Sequence, residues 1–169
     1  MKISRETKNV LFVCFGNICR SPFAEGLFTK LAAQTEQKDL LADSAGLFAL
    51  PGNSATSLAQ RVAIEHEVNL SGHEAKLVSK TLVKWADLIL VMEKSHINTL
   101  LETFPEATDR TRLIRQFSRV GSKHRGIADP YGLQYEAYRF CFLDIEDAVS
   151  GLITTLSDER IDGSERKDY

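Results

Sequence analysis

Short apolar runs alternate along the chain with longer segments in which apolar residues recur every three or four positions. Each run is flanked by polar residues, glycine or proline, which is the pattern expected of a buried strand in a parallel sheet. The strands predicted in this way are Val10 to Cys14, Leu40 to Ala45, Asp87 to Met92 and, from a weaker pattern, Arg112 to Phe117.

Helical periodicity marks four further segments. Apolar residues three and four positions apart give these segments a core-facing stripe, and two of them begin at a serine that can act as an N-cap. The first segment starts at Ser21–Pro22, and the others cover Ser54 to His66, Lys94 to Glu102 and Gln134 to Leu156.

The alternation of strands and helices indicates an α/β protein. We predict a single three-layer domain, a four-stranded parallel sheet flanked by helices on both faces. This domain is expected to span residues 1–169, with residues 157–169 as a frayed tail. In such sheets, binding sites lie beyond the carboxyl ends of the strands.

The segment from Cys14 to Ser21 combines three features that suit phosphate chemistry. It joins the first strand to a helix N-terminus, where free backbone N–H groups and the helix dipole favour an anion, so we predict a phosphate-binding loop after the first strand. Cys14 supplies a thiol facing these donors, and Arg20 supplies a guanidinium that can hold two oxygens of a tetrahedral anion. Gly16 offers conformational freedom and Asn17 tolerates left-handed geometry. The competing interpretation is a buried core cysteine and an exposed arginine.

Composition and charge argue against several classes of function. The chain has 169 residues, and its net charge of −2 argues against general affinity for nucleic acid or an acidic membrane. Its longest apolar run near the N-terminus is too short for a signal core or a membrane span. The three cysteines lack the spacing of a disulfide framework or a zinc site. We therefore expect no metal or other cofactor, and a reducing cytoplasmic environment for the thiol chemistry.

Cys14 to Pro22 resembles the phosphate-binding loop of the low-molecular-weight protein tyrosine phosphatases, whose signature is Cys, five residues, Arg, Ser. The resemblance continues at Asp129–Pro130–Tyr131 and covers nearly the whole chain. It implies that Cys14 is the nucleophile and forms a cysteinyl-phosphate, and that Arg20 holds the phosphoryl oxygens. It also implies that Asp129 is the general acid and then the general base.

The resemblance implies roles for the residues around this centre as well. Ser21 would donate a hydrogen bond to the thiolate, and Ser44 and His73 would brace the loop through Asn17. For Phe48, a wall of the substrate cleft and a loose aromatic covering the loop are equally acceptable interpretations. The expected substrate-binding residues are Phe15, Gly16, Asn17, Ile18, Cys19, Ser21, Phe48 and Tyr131.

Three alternatives compete with a tyrosine phosphatase. Protein-arginine phosphatases resemble this chain but tend to carry Thr where Ile18 stands. Arsenate reductases use additional cysteines after the loop, and this chain has none between Cys19 and Cys141. A phosphate-binding module without catalysis would not need Cys14, Arg20 and Asp129 together. The expected partner is a phosphotyrosine-containing protein, with a tyrosine autokinase as one candidate, and the expected product is inorganic phosphate.

Overall fold

Among the residues that the structure describes, four parallel strands form one sheet. The computed structural model describes residues 3, 6–35 and 39–164, with side chains as far as Asp158. The strands are β1 (Asn9–Cys14), β2 (Leu41–Gly46), β3 (Leu88–Val91) and β4 (Thr111–Leu113), and their order in the sheet is β2-β1-β3-β4. The chain therefore crosses over between β2 and β3, and the predicted four-stranded parallel sheet is confirmed.

In the described ranges, five α-helices connect and cover these strands. They are α1 (Arg20–Ala33), α2 (Ser57–Glu65), α3 (Lys80–Trp85), α4 (Lys94–Thr103) and α5 (Tyr135–Ser164), and two 3₁₀ turns lie at Pro105–Arg110 and Ile114–Phe117.

The two faces of β1 point into two separate hydrophobic clusters. Val10 and Phe12 face the larger cluster with residues of α1, α2 and α5, whereas Leu11 and Val13 face the smaller one with residues of α3 and α4. Because β1 lies inside the sheet, both faces must be apolar, which explains its unbroken run of hydrophobic residues. The result is the predicted three-layer arrangement.

Aromatic packing ties α1 to α5 in the larger cluster. The rings of Phe23 and Phe142 stack with their centroids 3.9 Å apart, and Phe28 meets Phe12 edge to face at 5.7 Å. All four side chains are buried. This packing fixes the helix that begins directly after the phosphate-binding loop, so the loop is anchored on its helical side.

Two helix starts differ from the sequence prediction. Helix α1 begins at Arg20, with Cys19 at the N-cap position, so Ser21 lies inside the first turn and is not the cap. Helix α2 begins at Ser57, and its cap is Thr56, whose side chain accepts a hydrogen bond from the N–H of Ala59. Ser54 was therefore the wrong cap, because two hydroxyl residues compete for that role within three positions.

Other boundaries also differ. The fourth strand ends at Leu113, and Ile114–Phe117 forms a 3₁₀ turn whose buried apolar residues imitate a strand. The six-residue helix α3 was not predicted. Helix α5 continues to Ser164 where the sequence predicted an end at Leu156, so part of the predicted frayed tail is helical. Residues 165–169 lie outside the described part of the chain.

No helix in the described ranges has the length and apolar character needed to cross a membrane.

Candidate active site

The loop between β1 and α1 surrounds the sulfur of Cys14. Cys14 is the last residue of β1, and only 2% of it is exposed. The backbone N–H of Asn17 lies 3.2 Å from Cys14 Sγ, and Ser21 Oγ lies 2.9 Å from the same atom. Both groups can donate a hydrogen bond to a sulfur that carries negative charge. The predicted proximity of Ser21 to Cys14 is therefore present.

Asn17 provides the left-handed backbone conformation in this loop. Its φ is 54°, whereas Gly16 does not have a positive φ. Asn17 thus adopts the left-handed geometry that the sequence indicated it could tolerate, whereas the conformational freedom of Gly16 is not used for a positive φ. Asn reaches this region more easily than most residues because its short polar side chain forms local hydrogen bonds that offset the strain.

The glycine that the loop does require is Gly46, at the end of β2. Gly46 pairs with Cys14 in the sheet register. A Cβ atom at Gly46 would lie 2.7 Å from the carbonyl oxygen of Phe15 and 2.9 Å from the backbone nitrogen of Asn17. The loop backbone thus passes directly over this position, and no larger residue fits without moving the loop.

Four residues form hydrogen bonds with the side chain and the carbonyl group of Asn17. Its side-chain Nδ2 donates to Ser21 Oγ and to Ser44 Oγ, both at 2.9 Å, and its Oδ1 accepts from the N–H of Lys76 at 2.9 Å. The ring nitrogen His73 Nε2 lies 2.6 Å from the Asn17 carbonyl oxygen. Ser44 and His73 therefore lie where bracing residues were expected, and Lys76 adds a support that the sequence did not indicate.

Arg20 bonds to acidic partners at the side of the loop. Its Nη1 donates to Glu93 Oε1 at 2.5 Å and to the carbonyl of Ile127 at 2.9 Å, and its Nη2 donates to Asp129 Oδ2 at 2.7 Å. Burial acts to lower the pKa of Arg20, but the negative charges of Cys14, Glu93 and Asp129 outweigh it and raise the pKa. Arg20 therefore stays charged although it is almost fully buried.

The Nε donor of Arg20 is still available for a ligand. Its buried Nε has no hydrogen-bond partner among the described residues. A buried N–H group is normally paired in a protein, so this atom is expected to bond to a molecule that enters the site. The same guanidinium lines the cavity above Cys14.

Asp129 lies on the loop that precedes α5. Its Oδ1 accepts a hydrogen bond from the N–H of Tyr131 at 3.1 Å, and its other oxygen contacts Arg20. About 40% of the side chain is exposed, so the carboxyl group faces the opening of the site. The residue expected as general acid therefore shares one space with the expected nucleophile and the expected anion clamp.

A cavity of about 250 Å³ opens above Cys14 and has aromatic walls. Phe15 and Phe48 pack against each other with ring centroids 4.9 Å apart, and both rings remain half exposed at the mouth. Tyr131 also lines the cavity. The contact between Phe48 and Phe15 favours the cleft-wall interpretation of Phe48. The lining residues are Cys14, Phe15, Gly16, Ile18, Cys19, Arg20, Phe48, Leu50, Asn53, Asp129 and Tyr131.

Cys19 is buried below the cavity and has polar neighbours. Its sulfur lies 3.4 Å from Thr56 Oγ1 and 3.6 Å from Tyr138 Oη. Burial raises the pKa of the Cys19 thiol despite the hydrogen bond from Thr56. The third cysteine, Cys141, lies in the core on α5, and burial raises the pKa of its thiol as well. Neither of these two cysteines is therefore in an environment that favours a thiolate.

Sequence reasoning missed Glu93, Leu50 and Asn53. Glu93 is the second residue after β3, so the rule that sites lie at the carboxyl ends of strands could have identified it. Leu50 and Asn53 belong to the loop after β2 and carry no local signal for a binding role. Among the residues that the structure describes, no group of three or more His, Cys, Asp or Glu side chains is arranged to hold a metal ion.

Most of the arginines in the basic segment 110–125 have partners inside the protein. Arg115 forms two hydrogen bonds with Asp144, at 2.8 and 2.9 Å, and Arg119 pairs with Asp147. Arg110 and Arg112 donate to backbone carbonyl groups. These arginines anchor the segment to its neighbours, above all to α5.

Comparison with known proteins identifies one protein family. The profile of the family described as low molecular weight phosphotyrosine protein phosphatase matches residues 9–162. The low molecular weight protein-tyrosine-phosphatase Wzb of Escherichia coli K12 is 37% identical over 153 residues, which are 90% of this chain and 98% of that protein.

Solved structures of two related enzymes share the fold. The YwlE arginine phosphatase from Geobacillus stearothermophilus superposes with a TM-score of 0.82 at 33% identity, covering 92% of this chain and 96% of that one. The tyrosine phosphatase AmsI of Erwinia amylovora superposes with a TM-score of 0.81 at 34% identity, covering 89% and 94%. With the profile matched over nearly its whole length, this chain belongs to the low molecular weight phosphotyrosine protein phosphatase family.

Proposed function

We propose that this protein hydrolyses phosphotyrosine in proteins through a cysteinyl-phosphate intermediate. One observation carries the proposal. Cys14 Sγ, with donors from Asn17 and Ser21 at 3.2 and 2.9 Å, opens into the same cavity as Arg20 and Asp129. A nucleophile, an anion clamp and a carboxyl group that can carry a proton are the three parts that this reaction requires.

In the first step, the Cys14 thiolate attacks phosphorus. An S–P bond forms while the bond between phosphorus and the phenolic oxygen breaks, and protonated Asp129 gives its proton to the departing oxygen. The equatorial phosphoryl oxygens lie against the loop N–H groups and against Arg20 Nε and Nη2, which meet the charge that develops on them.

Substrate binding and the position of Asp129 are coupled in this proposal. Arg20 Nη2 donates to Asp129 at 2.7 Å, and a negatively charged phosphoryl oxygen competes for that N–H group. When the phosphoryl group takes this N–H group, the contact between Arg20 and Asp129 is broken. The Asp129 carboxyl group can then turn toward the leaving oxygen.

In the second step, water attacks phosphorus and the S–P bond breaks. Asp129 accepts the proton from the water, inorganic phosphate leaves, and the Cys14 sulfur departs as a thiolate. A hydrogen bond from Ser21 lowers the free energy of that leaving thiolate. No redox step occurs, and the protein returns to its starting state.

The side chains that line the cavity favour an aryl phosphate as substrate over a phosphoguanidine. Phe15 and Phe48 pack against each other in the cavity wall and Tyr131 also lines the cavity, so a phenyl ring can contact aromatic side chains on its way to Cys14. Each such ring pair contributes about 0.5–1.5 kcal/mol beyond burial. Ile18 lines the same space with an apolar side chain, which would leave the N–H groups of a phosphoguanidine unpaired.

The physiological partner that we propose is a phosphotyrosine-containing protein, with a tyrosine autokinase as the first candidate. We place the reaction in the cytoplasm, because the nucleophile must remain a free thiol and the three cysteines are unpaired.

Steady-state kinetics on three matched peptides tests the assignment. The peptides carry phosphotyrosine, phosphoarginine or phosphoserine in the same flanking sequence, and the phosphotyrosine peptide should have the highest kcat/KM. A higher kcat/KM on the phosphoarginine peptide would identify phosphoarginine as the substrate and would leave the proposed cysteine mechanism unchanged. Absence of turnover on all three would support a non-catalytic phosphate-binding module.

A further inference from the structure

A second cavity, of about 340 Å³, lies close to the active site and has a basic lining. Lys94, Lys123 and His124 line it together with the amide side chains of Asn98 and Gln116. Within the described part of the chain, no acidic side chain is among its lining residues. The cavity therefore offers hydrogen-bond donors and positive charge, which suit an anionic ligand.

This cavity lies at the edge of the sheet that also carries the proposed nucleophile. Leu113, the last residue of β4, lines the cavity, and Lys94 comes three residues after Val91, the end of β3. Cys14 is the last residue of β1, and the three strands are parallel, so their carboxyl ends share one edge. A ligand in the cavity and a phosphoryl group at Cys14 would therefore lie on the same side of the molecule.

Two segments that line the cavity continue directly to Arg20. Lys94 follows Glu93, whose carboxylate contacts Arg20 at 2.5 Å. His124 lies three residues before Ile127, whose carbonyl group accepts a hydrogen bond from Arg20 Nη1 at 2.9 Å. Lining residues on both segments are thus within three positions of a contact to the proposed anion clamp.

The cavity is within reach of a peptide that is bound at the active site. Lys123 and Asp129 are six positions apart in the sequence, so their Cα atoms are at most about 20 Å from each other. An extended peptide rises about 3.3 Å per residue and covers this distance with about six residues. A substrate bound through its phosphotyrosine can therefore place a neighbouring segment in the cavity.

The two lysines of the cavity are available to a ligand. Neither Lys94 nor Lys123 forms a salt bridge with another described residue, and both are exposed. Arg115, by contrast, is paired with Asp144 on α5. The positive charge of the lysines is therefore not used inside the described protein.

The remaining lining favours a peptide over a simple anion. The buried Oε1 of Gln116 has no hydrogen-bond partner among the described residues. A rotation of this amide toward the cavity would let the oxygen accept from a peptide N–H group. Ile97 and Leu113 also line the cavity, so a methylene stem has apolar contacts there. An acidic peptide supplies carboxylate, N–H and methylene groups together, whereas an inorganic anion has no methylene group.

We propose that this cavity binds an acidic segment of the phosphorylated protein substrate, within about six residues of its phosphotyrosine. Lys94 and Lys123 pair with carboxylates of that segment, and Gln116 accepts from its backbone. The inference rests on the proposed function, because it takes a phosphotyrosine-containing protein as the substrate. The net charge of the chain, −2, argues against a nucleic acid or an anionic membrane as the occupant, since either would require a wider positive surface.

Steady-state kinetics on pairs of phosphotyrosine peptides tests the site. In each pair, one peptide carries two adjacent glutamates two, four or six positions before or after the phosphotyrosine, and its partner carries glutamines there. We expect the wild type to prefer the acidic peptide in kcat/KM by about five- to tenfold at one placement and by less at the others. The preference should disappear at about 0.5 M salt, because salt screens exposed ion pairs.

Substitution of the lysines tests whether the preference arises in this cavity. Lys94→Gln and Lys123→Gln should each lower the ratio of acidic to neutral kcat/KM by about two- to threefold, and the double variant should bring it close to one. The ratio cancels any effect of a substitution on turnover itself. Lys84→Gln is the matched control and should keep the wild-type ratio. Exposed Lys84 precedes Trp85, whose carbonyl group accepts from Asn9 at the opposite, amino end of β1.

Three kinetic outcomes contradict the proposal. The first is an equal kcat/KM on acidic and neutral peptides in the wild type. The second is an equal preference at every placement, and the third is a ratio that falls as much in Lys84→Gln as in the variants of the cavity. The last two would mean that overall charge attracts acidic peptides. Hydrolysis of all peptides at one rate would remove only the acidic site, whereas absence of turnover on every peptide would remove the proposed phosphatase function.

Nuclear magnetic resonance locates the acidic segment without turnover. The probe is the acidic peptide with unphosphorylated tyrosine, titrated into isotope-labelled protein. It should shift the backbone signals of Lys94 and Lys123 and the side-chain amide signal of Gln116, and the glutamine peptide should leave them in place. Shifts confined to residues 14–21, or equal shifts with both peptides, would overturn the proposal whether or not the phosphatase assignment holds.

Discussion

Arg20 Nη2 lies 2.7 Å from Asp129 Oδ2, so the proposed anion clamp and the proposed general acid contact each other directly. The same guanidinium contacts Glu93 Oε1 through Nη1 at 2.5 Å. Glu93 can therefore keep Arg20 in place when a phosphoryl group displaces Asp129. Asp129 lines the cavity and Glu93 is not among its lining residues, so we expect Asp129 to act on the substrate and Glu93 to hold Arg20 in place.

Asp129→Asn should slow turnover by about 10²–10⁴-fold on phosphotyrosine, because the amide cannot give a proton to the phenolic oxygen. The loss should be much smaller on aryl phosphates with an acidic leaving group, which departs without protonation. Measurement of kcat over a series of aryl phosphates of different leaving-group acidity gives the comparison. An equal loss along the whole series would mean that Asp129 has only a structural role.

Cys14→Ser should abolish turnover while phosphate or vanadate still binds. The serine hydroxyl is far less acidic than a thiol, so it does not supply the anionic nucleophile, but the loop N–H groups and Arg20 remain. Calorimetric titration with inorganic phosphate, together with an aryl phosphate assay, measures both properties in the same preparation. Turnover close to the wild-type rate would exclude Cys14 as the nucleophile.

The strands and the phosphate-binding loop could be predicted because their signals are local. Val10 to Val13 and Leu88 to Val91 are buried on both faces and read as apolar runs, and Cys14 to Ser21 carries its chemistry within eight residues. The contacts that complete the site are not local. Glu93 reaches Arg20 across 73 positions, and Lys76 reaches Asn17 across 59. Only the folded sheet brings such residues together.

The errors in the predicted helices, strands and loop arise because a local sequence pattern can fit more than one structure. Ile114 and Phe117 are buried, and a short apolar run has the same appearance in a strand and in a 3₁₀ turn. Helix α3 is only six residues long, too short for helical periodicity to identify it. The sequence indicated that Gly16 and Asn17 could both take an unusual backbone angle, but it could not show that Asn17 is the residue that adopts a positive φ, because glycine adopts any φ.

Gly46→Ala should both destabilise the protein and reduce catalysis. The added methyl group would lie 2.7 Å from the Phe15 carbonyl oxygen and 2.9 Å from the Asn17 nitrogen, and both are backbone atoms that cannot turn aside. We expect a loss of about 1–3 kcal/mol in the free energy of unfolding, as for other overpacked sites, together with a lower kcat. Urea denaturation and an aryl phosphate assay measure the two effects. Gly72→Ala is the control, because nothing lies within 4 Å of a Cβ atom there.

His96 should make the protein less stable in mild acid. Burial and then the charge of Arg20 lower the pKa of His96, against the opposing charges of Glu93 and Asp129. Below the ordinary histidine pKa of about 6.5, the unfolded chain binds a proton that the folded protein does not yet bind, so the free energy of unfolding falls as pH falls. This group alone contributes a slope of at most about 1.4 kcal/mol per pH unit, down to the lowered pKa.

Urea denaturation of the wild type and of His96→Gln between pH 7.5 and 5.5 tests this prediction. The free energy of unfolding should depend less steeply on pH in the variant than in the wild type. His124→Gln, at an exposed position, should retain the wild-type slope. Identical slopes in wild type and His96→Gln would mean that His96 is protonated in the folded protein as readily as in the unfolded chain.

Ile18→Thr should shift selectivity toward phosphoarginine. Ile18 lines the cavity beside Cys14, and its Cγ1 would lie 3.5 Å from a Cβ at Gly16, so the side chain covers the loop next to the nucleophile. A flat phenyl phosphate can pass this apolar branch with favourable contact, whereas a phosphoguanidine presents N–H groups that it leaves without acceptors. A threonine hydroxyl supplies one acceptor in a side chain that is smaller than isoleucine and close in volume to valine. The ratio of kcat/KM for matched phosphotyrosine and phosphoarginine peptides should therefore fall by about tenfold in Ile18→Thr, the equivalent of one hydrogen bond.

Ile18→Val, which shortens the side chain without adding an acceptor, is the matched control and should keep the wild-type ratio. A ratio that falls equally in both variants would assign selectivity to the size of the side chain, and an unchanged ratio in Ile18→Thr would remove Ile18 as the residue that selects the substrate.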